Sequence, residues 1–491
     1  MPTPIRDPRT KSWNTSLVVR PGDIDLTIST EKIQGKIPLG LRGGRVLSNG
    51  PGWTVYDNLT AHPFDGHGYL RTYNFNTDGS LSIKARFIQT EVYKEEAKGK
   101  NFIHRGFATN PSEHFWKNIR HTIPRNVSNT TVYHWAGRLI TGWESGAPYA
   151  IDSKTLETLG EEDFGGLITG KITLAHMHQD PKNKSLIVVN MKRGRNTDLH
   201  IHEIDEQGKH IHSQEGQIPG IAFVHDFTFS DSWYIFGSNY LSVKPLEMVK
   251  SLLGAGTFLT SIETNTEKPG ELILIPRNNQ AEHRRIKLPE PVYVIHFVNS
   301  FEQEDGSLIV DASVFNDFTF GNEFGYSGKE KPFSLKHPED RGTQSLYRIT
   351  IPANSDSAEW KKLAPHGVDF PRVHPDFNGQ NAPYMIGGTR ADTRYSDPFD
   401  SLFFLDLQTP EATPKLWTTE PHIFVGEPLV LPDRITGIDY VASILTNGLE
   451  RTSTLAIFDI TDIEKGPICQ VPMPLMPIAF HGDWDPDHTS S

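Results

Sequence analysis

Hydrophobic positions along this chain come in short runs rather than in long helical stripes. The runs are rich in Val, Ile, Tyr and Phe and are separated by Gly, Asn, Asp and Pro, a pattern typical of strands and turns. Residues 130–160 show it most clearly, with a strand, a turn at Ala136-Gly137, a second strand, a loop and a third strand that ends at Asp152. The sequence therefore predicts an all-β protein built from up-and-down antiparallel sheets.

The third strand of this unit recurs along the chain. The segments YAIDSKTLET, HEIDEQGKH, FFLDLQTPEATP and AIFDITDIEKGP each place an aspartate after an apolar run, at Asp152, Asp205, Asp406 and Asp459. The first two and the last two aspartates are equally spaced, and the gap between the pairs is close to four such intervals. Four short strands repeated about every 50 residues are typical of a β-propeller blade. Two or three separate β-sandwiches are the alternative fold.

Two segments depart from the β pattern. At 111–124 and 244–259, apolar residues recur at helical spacings, which predicts two short amphipathic helices. The simpler interpretation is that each helix packs on the sheets. The functional interpretation is that their apolar faces touch a membrane.

Composition narrows the functional classes. The chain of 491 residues has a formal net charge of −12, the wrong sign for a surface that follows nucleic-acid phosphates. No run approaches the roughly 20 apolar residues that cross a bilayer, and residues 1–19 lack the apolar core of a secretory signal. The single cysteine, Cys469, excludes a multi-cysteine metal site. We therefore expect a cytoplasmic protein. The 21 histidines of the chain suggest a metal site with nitrogen ligands.

A dense group of histidines falls on a predicted hairpin. They alternate along its two strands, at His200, His202, His210 and His212. Residues two apart share a face of a strand, so all four imidazoles could bind one metal ion. We favour a solvated face instead, because a surface hairpin lacks the enclosure and the outer hydrogen-bond acceptors of a metal site. The core face opposite would then carry Ile201, Ile204 and Ile211.

Four other histidines are scattered through the chain, at His176, His225, His296 and His481. Each follows one or more apolar residues, as it would where a strand reaches the axis of a propeller. One such histidine alone is more often a hydrogen-bonded core residue than a ligand. If the blades radiate from one axis, however, each of four blades can supply one ligand to a single central ion.

These histidines, together with five further motifs, resemble the carotenoid cleavage oxygenases, in particular the bacterial-like apocarotenoid-cleaving type. The motifs are SNGPG at 48–52, HPFDGHG at 62–68, WESG at 143–146, HFVNSFE at 296–302 and GEPLVLP at 426–432. The resemblance implies a seven-bladed β-propeller with a cap of loops and short helices. It implies an N-terminal extension over 1–34 and a single propeller domain over 35–491, with cap helices inserted near 111–124 and 244–259.

The resemblance also implies a non-haem Fe(II) site with dioxygen as co-substrate. Its ligands would be His176, His225, His296 and His481. The outer carboxylates that hold three of these imidazoles would be Glu144, Asp369 and Glu427, which leaves His176 without such a partner. Asp369 departs from the family, which usually has glutamate there. A threonine methyl group that crowds one iron position would be that of Thr130, and the substrate tunnel would be lined by Phe64, Trp143, Phe223 and Phe370.

The implied reaction is cleavage of a C=C bond of an apocarotenoid or carotenoid to two carbonyl products. The apolar helices would surround the tunnel mouth and contact a membrane peripherally to take up the polyene. Relatives that cleave stilbenoids usually carry a lysine where this chain has Trp143, which favours a polyene over a phenolic alkene. Cleavage of a stilbenoid or phenylpropanoid alkene, polyene isomerisation on the same fold, and a metal-free binding scaffold are the alternatives.

Overall fold

The computed structural model describes residues 10–119, 125–169, 172–220, 222–264, 269–278, 282–290, 293–315, 344–393, 398–409 and 411–486. Within these ranges, seven antiparallel sheets form the blades of a β-propeller. The predicted propeller is confirmed, and the alternative of separate β-sandwiches is wrong. Each blade buries apolar side chains against its neighbours, so the core is a ring of layers between adjacent sheets.

Blades 1 to 7 follow the order of the chain. Blade 1 comprises Ile24–Ile28, Arg45–Asn49, Pro51–Trp53, His67–Phe75, Leu81–Phe87 and His481–Asp485. Blade 2 comprises Thr131–Trp135, Arg138–Gly142, Tyr149–Asp152 and Thr158–Glu161. Blade 3 comprises His178–Asp180, Ser185–Arg193, Thr197–Asp205 and His210–Ile218. Blade 4 comprises Phe227–Phe229, Trp233–Gly237, Glu271–Pro276 and Arg284–Lys287.

The strands of the remaining blades follow, again given in the order of the chain. Blade 5 comprises Tyr293–Glu302, Leu308–Phe315, Gln344–Ile351 and Glu359–Lys362. Blade 6 comprises Val368–Val373, Tyr384–Thr389, Ser401–Asp406 and Lys415–Thr418. Blade 7 comprises Gln34–Gly35, Ile423–Val425, Leu429–Pro432, Asp439–Asn447, Thr452–Asp459 and Cys469–Pro474. A small additional sheet comprises Ala222–Phe223, Asn239–Val243 and Ile262–Thr264.

The recurring aspartates all occupy one position in the blade. Asp152, Asp205, Asp406 and Asp459 each end the third of the strands that run outwards from the axis. In each case a carboxylate oxygen accepts the backbone N–H two residues later, at distances of 2.8 to 3.0 Å. This side-chain turn starts the connection to the outer strand. The recurring aspartates in the sequence therefore mark the same side-chain turn in each of these four blades.

Short helices lie outside the blades. They are Thr10–Ser16, Glu91–Gly99, Phe115–Asn118, Pro245–Leu252 and Phe258–Ser261. Single 3-10 turns are Thr30–Lys32, Leu39–Leu41, Pro63–Asp65 and Pro375–Phe377, and a longer 3-10 segment is Ile460–Lys465. No helix in the described ranges is long and apolar enough to cross a bilayer.

The two predicted cap helices are shorter than expected. In the first segment, 111–124, only Phe115–Asn118 is helical among the described residues, and 120–124 lie outside them. The second segment, 244–259, contains the helix Pro245–Leu252 and the start of Phe258–Ser261. The Asn118 side-chain amide donates a hydrogen bond of 2.8 Å to the Gly254 carbonyl, so the two segments are joined.

The expected N-terminal extension, residues 1–34, supplies a strand to a blade. Ile24–Ile28 pairs with Leu81–Phe87 as the outer strand of blade 1. Gln34–Gly35 pairs with Cys469–Pro474 at the edge of blade 7. The domain boundary between residues 34 and 35 stays a prediction.

Blade 1 closes the ring by pairing distant parts of the chain. Arg45–Asn49 pairs with His481–Asp485 throughout its length. Arg45 Nε donates a hydrogen bond of 2.9 Å to Asp485 Oδ2, and the two side chains are only 2% and 3% exposed. Gly482 allows the close approach, since a Cβ there would lie 2.3 Å from the carbonyl oxygen of Leu47. Backbone pairing and a buried ion pair therefore hold the closure together.

Replacing Asp485 with asparagine should weaken the closure. The substitution leaves the buried guanidinium of Arg45 without its counter-ion, which typically costs about 3–5 kcal/mol of unfolding free energy. Urea denaturation followed by tryptophan fluorescence measures the loss. Asp57→Asn is the matched control, because Asp57 pairs with Arg20 at the surface and is 60% exposed. Its loss should stay below about 1 kcal/mol. Equal losses in the two variants would contradict the proposed importance of the buried pair.

Candidate metal centre

The four scattered histidines meet at the propeller axis. His176 and His225 precede the inner strands of blades 3 and 4 by two residues, His296 lies within the inner strand of blade 5, and His481 begins that of blade 1. One ring nitrogen from each lies within 4.8 Å of all the others. The Nε2 atom of His225 is 3.2 Å from Nε2 of His176 and 3.2 Å from Nε2 of His296. The four imidazoles can therefore hold one metal ion.

A backbone irregularity aims one of these side chains. The pairing of Tyr293–Glu302 with Leu308–Phe315 shifts register on both sides of His296. Such bulges redirect a side chain that a regular strand would point elsewhere. His481 is anchored differently, since its backbone N–H donates a hydrogen bond of 3.1 Å to the carbonyl of Thr130 in blade 2.

Three carboxylates contact the outer nitrogens of the imidazoles. Glu144 Oε1 is 2.7 Å from Nδ1 of His225, Asp369 Oδ1 is 2.5 Å from Nδ1 of His296, and Glu427 Oε1 is 2.9 Å from Nδ1 of His481. For His176, the nearest such oxygen is that of Asp226, at 3.8 Å. These contacts are the ones that the resemblance implied, while the roles of the residues in metal binding stay predictions.

The shorter side chain of Asp369 still reaches its histidine. The pairing of Val368–Val373 with its neighbour shifts register between Asp369 and Arg372, and Phe370 within this bulge has a φ of 48°. The second oxygen of Asp369 accepts a hydrogen bond of 3.1 Å from the Gln344 amide. The local backbone thus compensates for the missing methylene group.

Burial and charge set the protonation states around the axis. Burial lowers the pKa of His176 well below 6.5 and that of His481 to about 4. Burial would raise the pKa values of Asp369 and Glu427, but the nearby His296 ring and the Arg372 guanidinium outweigh it and lower them. A metal ion binds the neutral form of imidazole. An ionised carboxylate accepts a hydrogen bond from the outer N–H of that imidazole.

A cavity of about 600 Å³ opens beside the histidines. The four residues expected to line a substrate tunnel, Phe64, Trp143, Phe223 and Phe370, all lie on its wall, as does Thr130. The Phe370 ring centroid is 5.5 Å from that of His296 and 5.2 Å from that of His481. The Thr130 hydroxyl donates to the side-chain oxygen of Asn129 at 3.2 Å. The structure thus brings the predicted residues together around one apolar space.

Two residues near the axis escaped the sequence analysis. Arg372 donates hydrogen bonds to Glu427 Oε1 at 2.7 Å and to the Gly482 carbonyl at 3.1 Å, bracing the surroundings of His481. Asp226 accepts the backbone N–H of Phe297 at 2.9 Å. Asp226 directly follows His225 in FVHDF, so its place beside a candidate ligand could have identified it from the sequence. The position of Arg372 depends on the bulge between Asp369 and Arg372.

The hairpin histidines do not form a metal site within the part of the chain that the structure describes. His202 is buried, and its Nδ1 lies 2.7 Å from the Ser213 hydroxyl, which His210 also contacts at 2.7 Å. His200 is 37% exposed, beside Glu215. Ile211 is 50% exposed, so its predicted place in the core is wrong. A register shift near Ile204 interrupts the strict alternation on which that prediction depended.

Comparisons with known proteins agree with this geometry. A family model described as retinal pigment epithelial membrane protein matches residues 20–486. The chain is 28% identical to an apocarotenoid-15,15'-oxygenase from Synechocystis, over 96% of each protein. It is 25% identical to an isoeugenol monooxygenase from Pseudomonas putida, over 94% of this chain and 96% of that one.

A solved structure shares the whole architecture. The crystal structure of a cobalt-substituted Synechocystis apocarotenoid oxygenase is 27% identical to this chain and superposes with a TM-score of 0.88. The match covers 97% of this chain and 98% of that one. This chain therefore belongs to the retinal pigment epithelial membrane protein family, the family of carotenoid oxygenases that its motifs indicated.

Proposed function

We propose that this protein is an Fe(II)-dependent dioxygenase that cleaves a C=C bond of an apocarotenoid or carotenoid into two carbonyl products. The observation that carries the proposal is the meeting of four imidazoles beside a large apolar cavity. Family membership supports the oxygenase class. The aromatic lining supports a polyene substrate.

The donor set fits Fe(II). Imidazole nitrogen suits several transition metals, and reaction with dioxygen favours a redox-active one among them. A relative with this architecture has been crystallised with cobalt in substitution, which supports a divalent transition metal. Iron(II), when bound, would supply the site at which dioxygen is activated.

The protein's own residues would fix the ligands and keep water out. Glu144, Asp369 and Glu427 each face the Nδ1 atom of one histidine, which leaves the opposite nitrogen of that ring for the metal. Such outer partners set both the tautomer and the orientation of the ring. Thr130, on the cavity wall, would restrict access to one side of the centre.

The cavity would hold the polyene by shape and apolar contact. Phe370 lies against two of the histidines, and the Phe223 ring is nearly parallel to that of His225, at 6.4 Å between centroids. Rings at these positions would hold a flat conjugated chain next to the metal. No side chain has to act as a general acid or base, because both oxygen atoms would come from dioxygen.

A phenolic alkene is the second candidate substrate. The chain is 25% identical to an isoeugenol monooxygenase over nearly the whole of both proteins, and this similarity supports a phenolic alkene as a candidate substrate. Trp143 counts against it, because its indole offers a single donor in place of the lysine usual in stilbenoid-cleaving relatives. Polyene isomerisation on the same fold is the third possibility.

We also propose that this enzyme is cytoplasmic and that it contacts a membrane peripherally beside the cavity. Exposed apolar side chains cluster on the two joined cap segments, at Phe115, Trp116, Ile119, Leu246, Val249, Leu252 and Leu253. Phe258, at the end of the same region, lines the cavity. A lipid surface would cover this patch and supply a substrate that water does not dissolve.

Replacing His481 with alanine should remove iron binding. One of four nitrogen ligands is lost, so the iron retained after purification should fall by about 100-fold or more, at least as much as the roughly 10–100-fold that the loss of an outer partner typically costs. Atomic emission spectrometry of the purified protein measures it. His200→Ala is the matched control, since His200 lies on the hairpin and should leave the iron content unchanged. Iron lost from the His200 variant rather than from the His481 variant would refute the assignment.

Incubation with a substrate panel under labelled dioxygen tests the reaction itself. Iron-loaded protein is offered apocarotenals, carotenes and stilbenes, and the products are identified by mass spectrometry. We expect two labelled carbonyl products from an apocarotenal or a carotene. Cleavage of stilbenes alone would favour the phenolic alternative, and unlabelled geometric isomers would favour isomerisation. No turnover, together with no iron, would favour the metal-free scaffold.

Replacing Leu252 with glutamate should weaken membrane contact. Leu252 is 70% exposed in the apolar patch, and a charge there opposes insertion into the lipid interface. Sedimentation with phospholipid vesicles measures binding, and the iron content reports on folding. Leu449→Glu is the matched control, because Leu449 is 65% exposed but lies outside the patch. Unchanged sedimentation of the Leu252 variant would contradict the proposed contact.

A further inference from the structure

One face of blade 1 carries polar side chains with atoms that lack a hydrogen-bond partner among the described residues. Ser48 and Arg71 lie directly opposite each other on paired strands, and Tyr73 lies on the same face two residues along. Their side chains are between 0% and 4% exposed. The Ser48 hydroxyl, the Nε of Arg71 and the Tyr73 hydroxyl make no hydrogen bond within the described residues. Buried polar groups are almost always paired in folded proteins, so this cluster calls for an explanation.

The charge of Arg71 is uncompensated as well. Its guanidinium donates to the backbone carbonyls of Pro477 and Ile478, the latter at 3.4 Å. In the described ranges, no carboxylate forms an ion pair with it, and its Cζ atom lies 5.9 Å from the ring centroid of Tyr69. A buried cation is stable only when an anion or several acceptors replace its water. Among the described residues, the guanidinium therefore has free donors and no counter-ion.

Both Ser48 and Arg71 lie on the wall of the cavity that the histidines share. Around them the lining is apolar, with Val46 from the same strand as Ser48 and Leu429 and Leu455 from blade 7. The cavity thus combines a long apolar surface with several arginines on its wall, at Arg71, Arg105, Arg125 and Arg193. Of these, Arg71 lies opposite the Ser48 hydroxyl, which has no hydrogen-bond partner among the described residues. A ligand that matches this cavity is an apolar chain with an anionic end.

We propose that Arg71 and Ser48 form a subsite that binds the terminal carboxylate of a polyene acid. Free N–H groups of the guanidinium would donate to the carboxylate oxygens, and the Ser48 hydroxyl would donate a further hydrogen bond. The apolar chain would then extend from this anchor past the histidines. This inference rests on the proposed function and narrows its substrate class to acids within the apocarotenoids.

A purely structural role for Arg71 is the competing explanation. Its bonds to Pro477 and Ile478 hold the segment that leads into His481. If that were its only role, replacing it would lower iron content and stability without changing the preference among ligands. Replacing Ser48 distinguishes the two explanations. Its hydroxyl makes no hydrogen bond within the described structure, so the substitution breaks no structural contact of that group.

Ligand preference can be measured by binding rather than by turnover. Iron-loaded full-length protein is titrated without oxygen with all-trans-retinoic acid and with all-trans-retinol, two polyenes that differ at the terminal group. Quenching of tryptophan fluorescence gives each Kd, and the ratio of the two constants reports on the subsite. The variants are Ser48→Ala and Arg71→Gln. The control is Ser238→Ala, which removes another buried, unpartnered hydroxyl that lies away from the cavity.

The wild-type protein should bind the acid on the order of tenfold more tightly than the alcohol, as a charge-assisted hydrogen bond would give. Ser48→Ala should reduce that ratio several-fold and Arg71→Gln should bring it near one, with the Kd for the alcohol unchanged. Ser238→Ala should keep the wild-type ratio.

Equal binding of acid and alcohol by the wild-type protein, or an unchanged ratio in Ser48→Ala, would overturn the subsite alone. Failure of both polyenes to bind would overturn the proposed polyene cavity together with the subsite. If Arg71→Gln does not fold, the comparison of Ser48→Ala with Ser238→Ala still decides the matter.

Discussion

The pairing of Arg45–Asn49 with His481–Asp485 is the contact on which the rest of the structure depends. It joins segments 440 residues apart in the chain and turns a row of sheets into a ring. An open row would have two exposed edges and no axis, and the inner strands of blades 1, 3, 4 and 5 could not converge. The same pairing positions His481, so ring closure and completion of the histidine cluster are one event.

Polar groups around the axis are arranged in layers. The imidazoles face the centre, ionised carboxylates stand behind three of them, and Arg372 stands behind Glu427. Asp369 and Glu427 are hydrogen-bonded to their imidazoles, and Arg372 is hydrogen-bonded to Glu427, so these buried polar groups support one another. Two of the four rings are held neutral by burial, ready to bind a metal. By contrast, the buried guanidinium of Arg71 has no such carboxylate behind it among the described residues.

Much of the fold and of the site could be predicted because the signals are local. The recurring aspartates mark the same turn in four of the blades, and each axial histidine follows the apolar residues that carry the chain inward. What escaped prediction depends on small departures from regular pairing. Bulges place His296, Asp369 and Arg372, and a register shift exposes Ile211. A single inserted residue reverses which face a side chain occupies, and no composition or spacing in the sequence records it.

The position of His481 also orders events in the life of the chain. During synthesis, blades 2 to 6 can fold as they leave the ribosome, since every strand in them comes from one continuous stretch. Blade 1 must wait with its inner position empty until His481–Asp485 emerges. A nascent chain that has not reached His481 thus holds at most three of the four imidazoles, and the set is complete only once blade 1 closes. A metal ion that requires all four nitrogens would therefore be bound only after blade 1 has closed.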